Sequence, residues 1–555
     1  MDLLLVLILG VVAIAVVTAL APRVGVVTPL ALVLIGVGVS LLPFVPDVLI
    51  DPEWILMGVL PPLLYSAAVS LPAMEFRRDF RAIGGLSVAL VLLTSFALGL
   101  FFAWAVPGLG IALAIALGAI LSPTDAVATS IVKRLGISPR VVTVLEGESL
   151  LNDATALVLL SSALGAVTGS FTFSEGLLDF AWAVFIAVAV GLVIGWINLR
   201  VRSWIRHTTA GTALGFVVPF AAYLPSEHLG GSGLVAAVVA GIVTGHGAAR
   251  WFTPEQRLSD RVNWRTIELV LEGAVFLVMG LELSAILDEN RQSMGGFAHA
   301  AWLAAVAVLI VIAVRSLWVA PLIWLQSRRA RGVDRGRVAL RGLEEKLARR
   351  PWHPARRRVR RALADLDYFE SSPLGWRHGT VIVWAGMRGA VTLAAAQTLP
   401  RDTPSRALLV LVAFLVAAGT LLIQGGTLAW LARRLGLSGE GGSGPTRAEL
   451  ERLNVELHAA AASAIGDPAL RRADGNTFDS GMRERVLKKW TEPRDDDLSV
   501  AAREALELRL IALRAMRVRL VDVRGDGAFS SVALRHALDE LDAEELSIQL
   551  RLDRD

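Results

Sequence analysis

The sequence predicts an all-α polytopic membrane protein with about thirteen transmembrane helices, followed by a C-terminal cytoplasmic helical tail. Hydrophobic residues make up 54% of the 555 residues, above the roughly 45–50% of a soluble domain, and the mean hydropathy is +0.59. Apolar runs long enough to cross a hydrocarbon core of about 30 Å recur from Leu3 to Ala432. Basic residues are concentrated in alternate loops between these runs.

The first apolar run starts at the N-terminus. MDLLLVLILGVVAIAVVTALAPR has no basic start and no small-residue cleavage site, so we predict a first transmembrane helix rather than a removed signal peptide. The thirteen predicted spans are 2–20, 24–45, 54–72, 83–106, 108–132, 141–167, 180–198, 210–224, 230–246, 265–286, 298–325, 376–399 and 405–432. Several contain Gly or Pro, which favours breaks within them.

The loop charges predict the orientation in the membrane. EFRRDFR, KRLGISPR, NLRVRSWIRH and the basic segment Arg328 to Arg361 all fall on one side. The alternate loops PDVLIDPE, GSFTFSEG, PSEHLG and LDENRQS carry few basic residues. Because cytoplasmic loops are rich in Lys and Arg, we expect an odd number of spans in the cell membrane, with the N-terminus outside and the C-terminus in the cytoplasm.

The composition also excludes some classes of site and partner. Cysteine is absent, which excludes disulfides and thiolate metal sites. The formal charge of +4 comes from basic residues in short loops, where membrane orientation and anionic lipid headgroups explain them. Nucleic acid is therefore not an expected partner.

The chain is predicted to have three parts. Residues 1–435 form the transmembrane domain, and the Gly/Ser-rich stretch at 436–446 reads as a flexible linker. Residues 447–555 are charged, with helical spacing of Leu506, Leu510 and Leu513 and of Leu534, Leu538 and Leu541. This tail is predicted to be helical and cytoplasmic, either regulatory or a solvated appendage.

The fifth predicted span contains Ser122, Pro123, Thr124 and Asp125 at its middle. Pro123 removes a backbone donor and disfavours helical geometry at Ser122, so carbonyls here are expected to leave the helical ladder. Irregular backbone at membrane depth is tolerated when it is buried in protein or lines a watery cavity. An ordinary Pro kink is the alternative, and Asp125 argues against it.

The sixth predicted span, LEGESLLNDATALVLL, carries carboxylates at a cost to membrane insertion. Ser149 and Asp153 are four residues apart and share one face, as do Glu148 and Asn152. Oxygen ligands of this kind suit a hard monovalent cation such as sodium, and unwound carbonyls beside Thr124 could complete its shell. Satisfied polar contacts between helices are the alternative, but they leave the carboxylates unexplained.

Two arginines lie within apolar spans. Arg315 and Arg388 each require a buried anion. The candidate anions are Glu148, Asp125, Asp153 and Glu272. Gly386 and Gly389 flank the second arginine closely enough to predict a break in the twelfth span. A broken fifth span with an acid and a broken twelfth with a base suit inverted repeats whose two discontinuous helices cross near the midplane.

Together these residues resemble the monovalent cation:proton antiporter-1 family, which includes bacterial NhaP-type antiporters and animal sodium/proton exchangers. The resemblance covers nearly the whole membrane part and rests on several motifs in order. They are SPTDAVA (122–128), EGESLLNDATALVL (146–159), GLVAAVVAGIVTG (233–245), VRSLWV around Arg315, AGMRGAVTLA (385–394) and PPLLYSAAV near Pro61 and Pro62.

The resemblance implies a thirteen-helix antiporter, usually a homodimer, with a dimer-contact domain and a core domain that moves to give alternating access. Residue by residue, it makes Asp153 the carboxylate that binds cation or proton. It assigns Thr124, Ser149 and Asp125 to the ion site, with Thr124, Ser149 and Asp153 as ligands of the monovalent cation. Asn152, directly before this aspartate, resembles the asparagine found there in electroneutral members of the family. Glu148 and Arg315 match the structural ion pair of the family, and Arg388 matches the basic residue of the second crossing helix.

One position departs from the family pattern. Some bacterial relatives carry an acid just after the PPLL segment, where this chain has Tyr65 or Ser66. This difference affects which side chains coordinate the ion in this chain.

The expected activity is exchange of Na⁺ or Li⁺ for H⁺, electroneutral and one for one, by competition for a buried aspartate. The protein is predicted not to be an enzyme and to need no cofactor; its partners are monovalent cations, protons, membrane lipids and a second copy. A K⁺/H⁺ antiporter of the same family is the main alternative, and a cation channel is a further one. An intramembrane hydrolase using Ser149 lacks a suitably placed base among His246, His299 and His378.

Overall fold

The computed structural model describes most of the membrane part and pieces of the tail. The described residues are 2–24, 26–42, 51–168, 173–205, 207–291, 296–330, 337, 340–343, 345–346, 354–440, 455, 459–471, 476–491, 506–513, 515–516, 541, 543–549 and 552. Within them the regular structure is helical, and no residue is in a β-strand. The all-α prediction is therefore confirmed.

The first half of the chain supplies the helices that contain the first broken span. They are α1 (Asp2–Val24), α2 (Thr28–Ser40), α3 (Leu60–Ser70), α4 (Ala73–Gly84), α5 (Leu90–Ala105), α6 (Ile111–Leu121), α7 (Val127–Arg134), α8 (Pro139–Thr168), α9 (Phe173–Trp204) and α10 (Thr208–His228). π-helical turns at Trp54–Val59 and Gly85–Ala89 lead into α3 and join α4 to α5. The sequence pattern did not indicate these turns.

The second half contains the other broken span. Its helices are α11 (Gly233–Trp251), α12 (Pro254–Leu281), α13 (Leu283–Arg291), α14 (Gly296–Ala330), α15 (Pro354–Ser371), α16 (Trp376–Trp384), α17 (Ala390–Gln397), α18 (Arg406–Thr420), α19 (Gly426–Arg434) and α20 (Ser480–Thr491). A π-helical turn at Leu421–Gly425 joins α18 to α19.

The described helices are those of a multi-pass membrane protein. Seven helical segments are long and apolar enough to cross a membrane. They are Met74–Ala105, Pro139–Val167, Phe180–Trp204, Gly233–Trp251, Glu255–Asn290, Gly296–Gln326 and Arg406–Arg434, and shorter apolar helices lie at Ile8–Ala21, Thr28–Ser40, Trp54–Ser70 and Ile111–Leu121. Each predicted span falls on a helix or on a pair of helices; the count of thirteen crossings and the orientation stay predictions.

Both predicted breaks are present, and they touch each other. The fifth span is interrupted between α6 and α7, and the twelfth between α16 and α17. The Asp125 N–H donates to the Met387 carbonyl at 2.8 Å, which joins the two irregular segments. Ser122 differs from the expectation: it keeps helical dihedrals (φ −80°, ψ −35°), because its N–H and Oγ both donate back to the Ala119 carbonyl. The chain leaves helical geometry after Ser122.

Small residues let the helices approach closely around the breaks. A Cβ on Gly118 of α6 would overlap the Ser95 carbonyl of α5, and Gly36 of α2 meets Gly280 of α12 in the same way. Membrane helices commonly pack through backbone contacts at glycine. Lipid tails are as apolar as the helix surfaces, so the hydrophobic effect does not drive association and close van der Waals packing has to do so.

The chain separates into two compact units, Met1–Ser443 and Gly444–Asp555. The first unit extends beyond Leu435, where the linker was predicted to start. Leu437 is buried, and the Gly439 N–H donates to the Leu135 carbonyl at 3.0 Å, so residues 436–440 are packed; residues 441–446 lie outside the described residues.

The described part of the second unit has a small apolar cluster. Leu513, Leu541 and Ile548 are buried together, with Leu506 and Leu510 packed against them. This agrees with the helical spacing of the first leucine set. Leu534 and Leu538 of the second set lie outside the described residues.

Candidate ion-binding site

A cavity of about 160 Å³ lies where the two broken spans meet. Both breaks contribute to its wall, together with α3, α8 and α12. Its polar lining is Thr124, Asp125, Ser149, Asp153, Glu268, Glu272 and Thr392, and the remaining lining is mostly aliphatic. The cavity therefore concentrates oxygen atoms inside an apolar environment, where each charged group needs a partner or a bound ion.

Asp153 lies near the middle of α8 with its side chain on the cavity. In the described part of the chain, no group donates a hydrogen bond to its carboxylate and no basic side chain pairs with it. A carboxylate in this state is costly to keep charged inside a membrane protein. It is stabilised when a proton or a cation occupies it.

Asp125 is held by the backbone of the break. Its Oδ1 accepts a hydrogen bond from the Val127 N–H at 2.8 Å, the first N–H of α7, which has no partner within the helix. A Cβ on Gly389 would overlap the Asp125 carboxyl group, so the missing side chain there makes room for it. The second break thus shapes the space around the acid of the first.

Thr124 and Asn152 form a network directly behind the cavity. The Asn152 amide nitrogen donates to Thr124 Oγ1 at 2.7 Å and to the Thr124 carbonyl at 3.3 Å. Thr124 Oγ1 in turn donates to Glu148 at 3.2 Å. Asn152 is buried, and its Oδ1 finds no hydrogen-bond donor among the described residues. The network fixes the Thr124 hydroxyl at the cavity wall.

Glu148 and Arg315 are in contact, as the family resemblance implies. The two side chains meet through two parallel hydrogen bonds, with Arg315 Nη2 to Glu148 Oε2 at 2.8 Å. Arg315 Nε donates to the Ile382 carbonyl at 2.9 Å. Both residues are about 98–99% buried, so this pair ties α8 to α14 and α16 away from water.

Arg388 binds carbonyl groups, and the prediction that it pairs with a buried carboxylate is wrong. Its Nε donates to the Leu121 carbonyl at 2.8 Å and its Nη2 to the Ser122 carbonyl at 3.0 Å. A further bond goes to the Gly386 carbonyl. The carbonyls at the C-terminus of α6 lack helical partners and carry partial negative charge, and they take the place of the carboxylate that the sequence predicts as the partner of Arg388.

Ser149 shares the cavity face with Asp153, as the four-residue spacing predicts. Its Oγ donates to the Glu146 carbonyl at 3.2 Å, which leaves the oxygen lone pairs available. Glu146 itself pairs with Lys133 at the end of α7 and does not line the cavity. Of the α8 carboxylates Glu146, Glu148 and Asp153, only Asp153 lines the cavity.

Sequence reasoning missed the role of α12 in this site. Glu268 and Glu272, one helical turn apart, both line the cavity, whereas the sequence predicts Glu272 only as a counter-ion for arginine. Ser66 Oγ donates to Glu268 Oε1 at 2.7 Å, so a glutamate from α12 contacts one of the two α3 positions at which this chain departs from the expected family pattern. Two acids at helical spacing in an apolar span were the available signal.

The cavity acids do not converge as a cluster for a multivalent metal. Among the described residues, no three His, Cys, Asp or Glu side chains lie close enough to hold one. The cavity joins Thr124, Asp125, Ser149 and Asp153, whereas Asn152, Glu148, Arg315 and Arg388 lie behind it and support it. This arrangement can bind a small cation through mixed carboxylate and hydroxyl oxygens.

Comparison with known proteins gives a consistent match. A family model described as sodium/hydrogen exchanger, transmembrane, matches residues 10–434. The chain is 30% identical over 552 residues to an uncharacterized Na⁺/H⁺ exchanger, YjcE, of Escherichia coli K12, with 93% of each chain covered. It is 25% identical over 474 residues to the Na⁺/H⁺ antiporter ApNhaP of Aphanothece halophytica, covering 83% of this chain and 80% of that one.

A solved structure resembles the chain in fold. The sodium proton antiporter MjNhaP1 from Methanocaldococcus jannaschii, at pH 8, superposes with a TM-score of 0.56 at 18% sequence identity. The likeness covers 78% of this chain and 99% of the other. It concerns the fold of the membrane part.

Proposed function

The chain belongs to the sodium/hydrogen exchanger family, and from this premise we propose that it exchanges Na⁺ or Li⁺ for H⁺ across the cell membrane. Asp153 is the group that binds either ion. The observation that carries this proposal is the Asp153 carboxylate on the cavity, which has no hydrogen-bond donor or basic partner among the described residues.

Cation and proton compete because both neutralise the same carboxylate. When sodium occupies the cavity, Asp153 serves as its anionic ligand, with Thr124 and Ser149 supplying hydroxyl oxygens. When sodium leaves, a proton replaces it. Either form of Asp153 is locally neutral, which lowers the cost of moving it past an apolar barrier. If only these two forms cross readily, one proton moves for each sodium ion, and the exchange is electroneutral.

The groups behind the cavity keep its geometry through this cycle. Asn152 orients the Thr124 hydroxyl, and Glu148–Arg315 holds α8 against α14. Arg388 keeps the two breaks together through the carbonyls at the end of α6. These supports let the broken spans move as a unit relative to α3 and α12, which form the other wall.

Ion exchange by purified protein in proteoliposomes tests the proposal. With a pH-sensitive dye inside, a sodium or lithium pulse is expected to drive proton movement at a rate unchanged by a valinomycin potassium clamp. A response to potassium alone would keep the mechanism and change the substrate. Current without proton movement would indicate a channel, and no proton movement with any of the three cations, in folded protein, would contradict the proposal.

Glu272 on α12 is proposed to attract the cation to the cavity. Glu272→Gln is expected to raise the sodium concentration for half-maximal exchange several-fold while the maximal rate changes less. The physical reason is that the substitution removes a negative charge from the cavity lining but leaves the proposed cation ligands in place. The measurement is the sodium dependence of exchange in proteoliposomes.

Glu255→Gln is the matched control, since Glu255 is an exposed acid in the first turn of the same helix. It is expected to leave the sodium dependence unchanged. Equal effects of the two substitutions would mean that Glu272 acts through the general charge of α12 and not through the cavity.

Further features of the assembly are proposals that accompany this function. The protein is a transporter without a cofactor, and it works as a homodimer. Its N-terminus lies outside the cell and its C-terminal tail in the cytoplasm, in line with the arginine-rich loops.

A further inference from the structure

A second, larger cavity of about 840 Å³ lies among α4, α15, α16 and the segment after α19. It shares no lining residue with the ion cavity. Its lining residues belong to the ends of spans that the loop charges place on the cytoplasmic side. Neither the proposed exchange nor the family motifs use this cavity.

Arginine dominates the charged lining of the cavity. Its basic members are Arg77, Arg78, Arg81, Arg140 and Arg377, and its acidic members are Asp79 and Glu440. A cavity with this excess of cationic side chains attracts anions, and low-dielectric walls strengthen the attraction.

Part of this positive charge is already neutralised. Arg140 is buried and paired with Asp79, with Nη2 to Oδ1 at 2.8 Å. Arg78 Nε donates to Asp365 Oδ1 at 2.6 Å. Glu440 Oε2 forms a hydrogen bond with His378 Nε2 at 3.0 Å. These contacts leave Arg140 and Arg78 little capacity for a ligand.

Arg81 and Arg377 are different. Both are exposed, and neither makes an ion pair with a described residue. The Arg377 guanidinium lies beside the Trp376 ring, 5.8 Å from its centroid, which favours a defined orientation. Two guanidinium groups on one cavity, neither in an ion pair with a described residue, can both donate hydrogen bonds to an anion bound there.

The N-terminal end of α16 adds to the positive electrostatic potential of this cavity. Gly375, Trp376, Arg377 and His378 line the cavity, so the first turn of this nine-residue helix faces it, and that turn contains no acidic residue. The N-terminal end of a helix carries partial positive charge and free N–H groups. They add hydrogen-bond donors to the charge of the arginines.

We propose that this cavity binds a phosphate-bearing anion, with Arg81 and Arg377 as its principal ligands. A phosphate group offers several acceptor oxygens and can accept paired hydrogen bonds from each guanidinium. The exposed aromatic rings of Phe80 and Trp376 at the rim (55% and 68% exposed) are of the kind found at the membrane–water interface. The phosphate can come from a lipid headgroup or from a soluble compound.

Two binding measurements on the full-length, detergent-purified protein separate these sources. Native mass spectra with added cardiolipin or phosphatidylcholine report lipid binding, and thermal unfolding with added inorganic pyrophosphate reports a soluble ligand. The test variant is Arg81→Gln with Arg377→Gln. The control is Arg434→Gln, because Arg434 is also exposed and also lies beside a tryptophan, Trp430, but does not line the cavity.

We expect the wild type to bind one of the two probes at least about tenfold more tightly than the double variant does, since charge-assisted hydrogen bonds to phosphate are lost. Cardiolipin preference lost in the variant assigns the site to a lipid headgroup. A pyrophosphate-dependent rise in melting temperature lost in the variant assigns it to a soluble phosphate.

Equal binding of both probes by the wild type and the double variant would overturn the proposal, as would an equal loss in Arg434→Gln. If the double variant does not fold, each single substitution is expected to show a partial loss, because neither side chain makes an ion pair in the described chain. Single variants that bind like the wild type would also overturn it.

Discussion

Replacing Asp153 by Asn will reduce sodium-driven proton movement to the level of protein-free liposomes. Asn is nearly the same size but carries no negative charge and cannot release a proton. The variant therefore loses both exchangeable states of the site at once: it can neither neutralise sodium nor load a proton. Because Asp153 has no hydrogen-bond donor or basic partner in the described chain, the substitution breaks no contact of that kind.

The measurement is dye-reported proton flux in proteoliposomes after a sodium pulse, at matched protein content. Asp402→Asn provides the control, since Asp402 lies exposed in the turn between α17 and α18, and it should exchange at the wild-type rate. An Asp153→Asn protein that still exchanged sodium for protons at the normal rate would refute the assignment.

Replacing Glu148 by Leu will lower the free energy of unfolding by about 3–5 kcal/mol, the usual cost of leaving one charge of a buried pair unpaired. Arg315→Met is expected to cost a similar amount, because it leaves the Glu148 carboxylate unpaired. Both effects follow from burial of the two partners, at 1% and 2% exposure.

The double variant, Glu148→Leu with Arg315→Met, is expected to be more stable than the single Glu148→Leu variant. Removing both charges leaves no unpaired ion, and a buried pair is often replaceable by apolar side chains of similar volume. Denaturant unfolding in detergent, followed by tryptophan fluorescence, gives the free energy of unfolding of the wild type, the two single variants and the double variant. Additive losses in the double variant would show that the two residues do not act as a pair.

Much of the candidate ion site could be predicted because its signals are local. Pro123 and the Gly386–Gly389 segment marked the two breaks, since proline and glycine change the backbone wherever they occur. Helical spacing placed Ser149 with Asp153 and Glu148 with Asn152 on adjoining faces. The structure shows both arrangements: the first pair lines the cavity, and the second contacts Thr124.

Other parts of the site could not be predicted from local patterns. The sequence predicted a carboxylate as the partner of Arg388, because charged side chains can be identified from a sequence whereas unpaired backbone carbonyls cannot. The C-terminal carbonyls of α6 act as its partner, and their availability depends on how the two breaks face each other. The π-helical turns likewise reflect contacts between helices and have no clear sequence pattern.

The sequence by itself determined that this protein is a polytopic helical membrane protein, with two broken spans and an acid and a base at the breaks. Hydropathy, loop charge and helical spacing are properties of consecutive residues, so they can be seen without the fold. Only the tertiary structure decided which groups share the cavity. It brought Glu268 and Glu272 of α12 to the same cavity as Asp153 and linked Glu268 to Ser66 across 202 residues of chain, because distant helices meet through packing that no local pattern encodes.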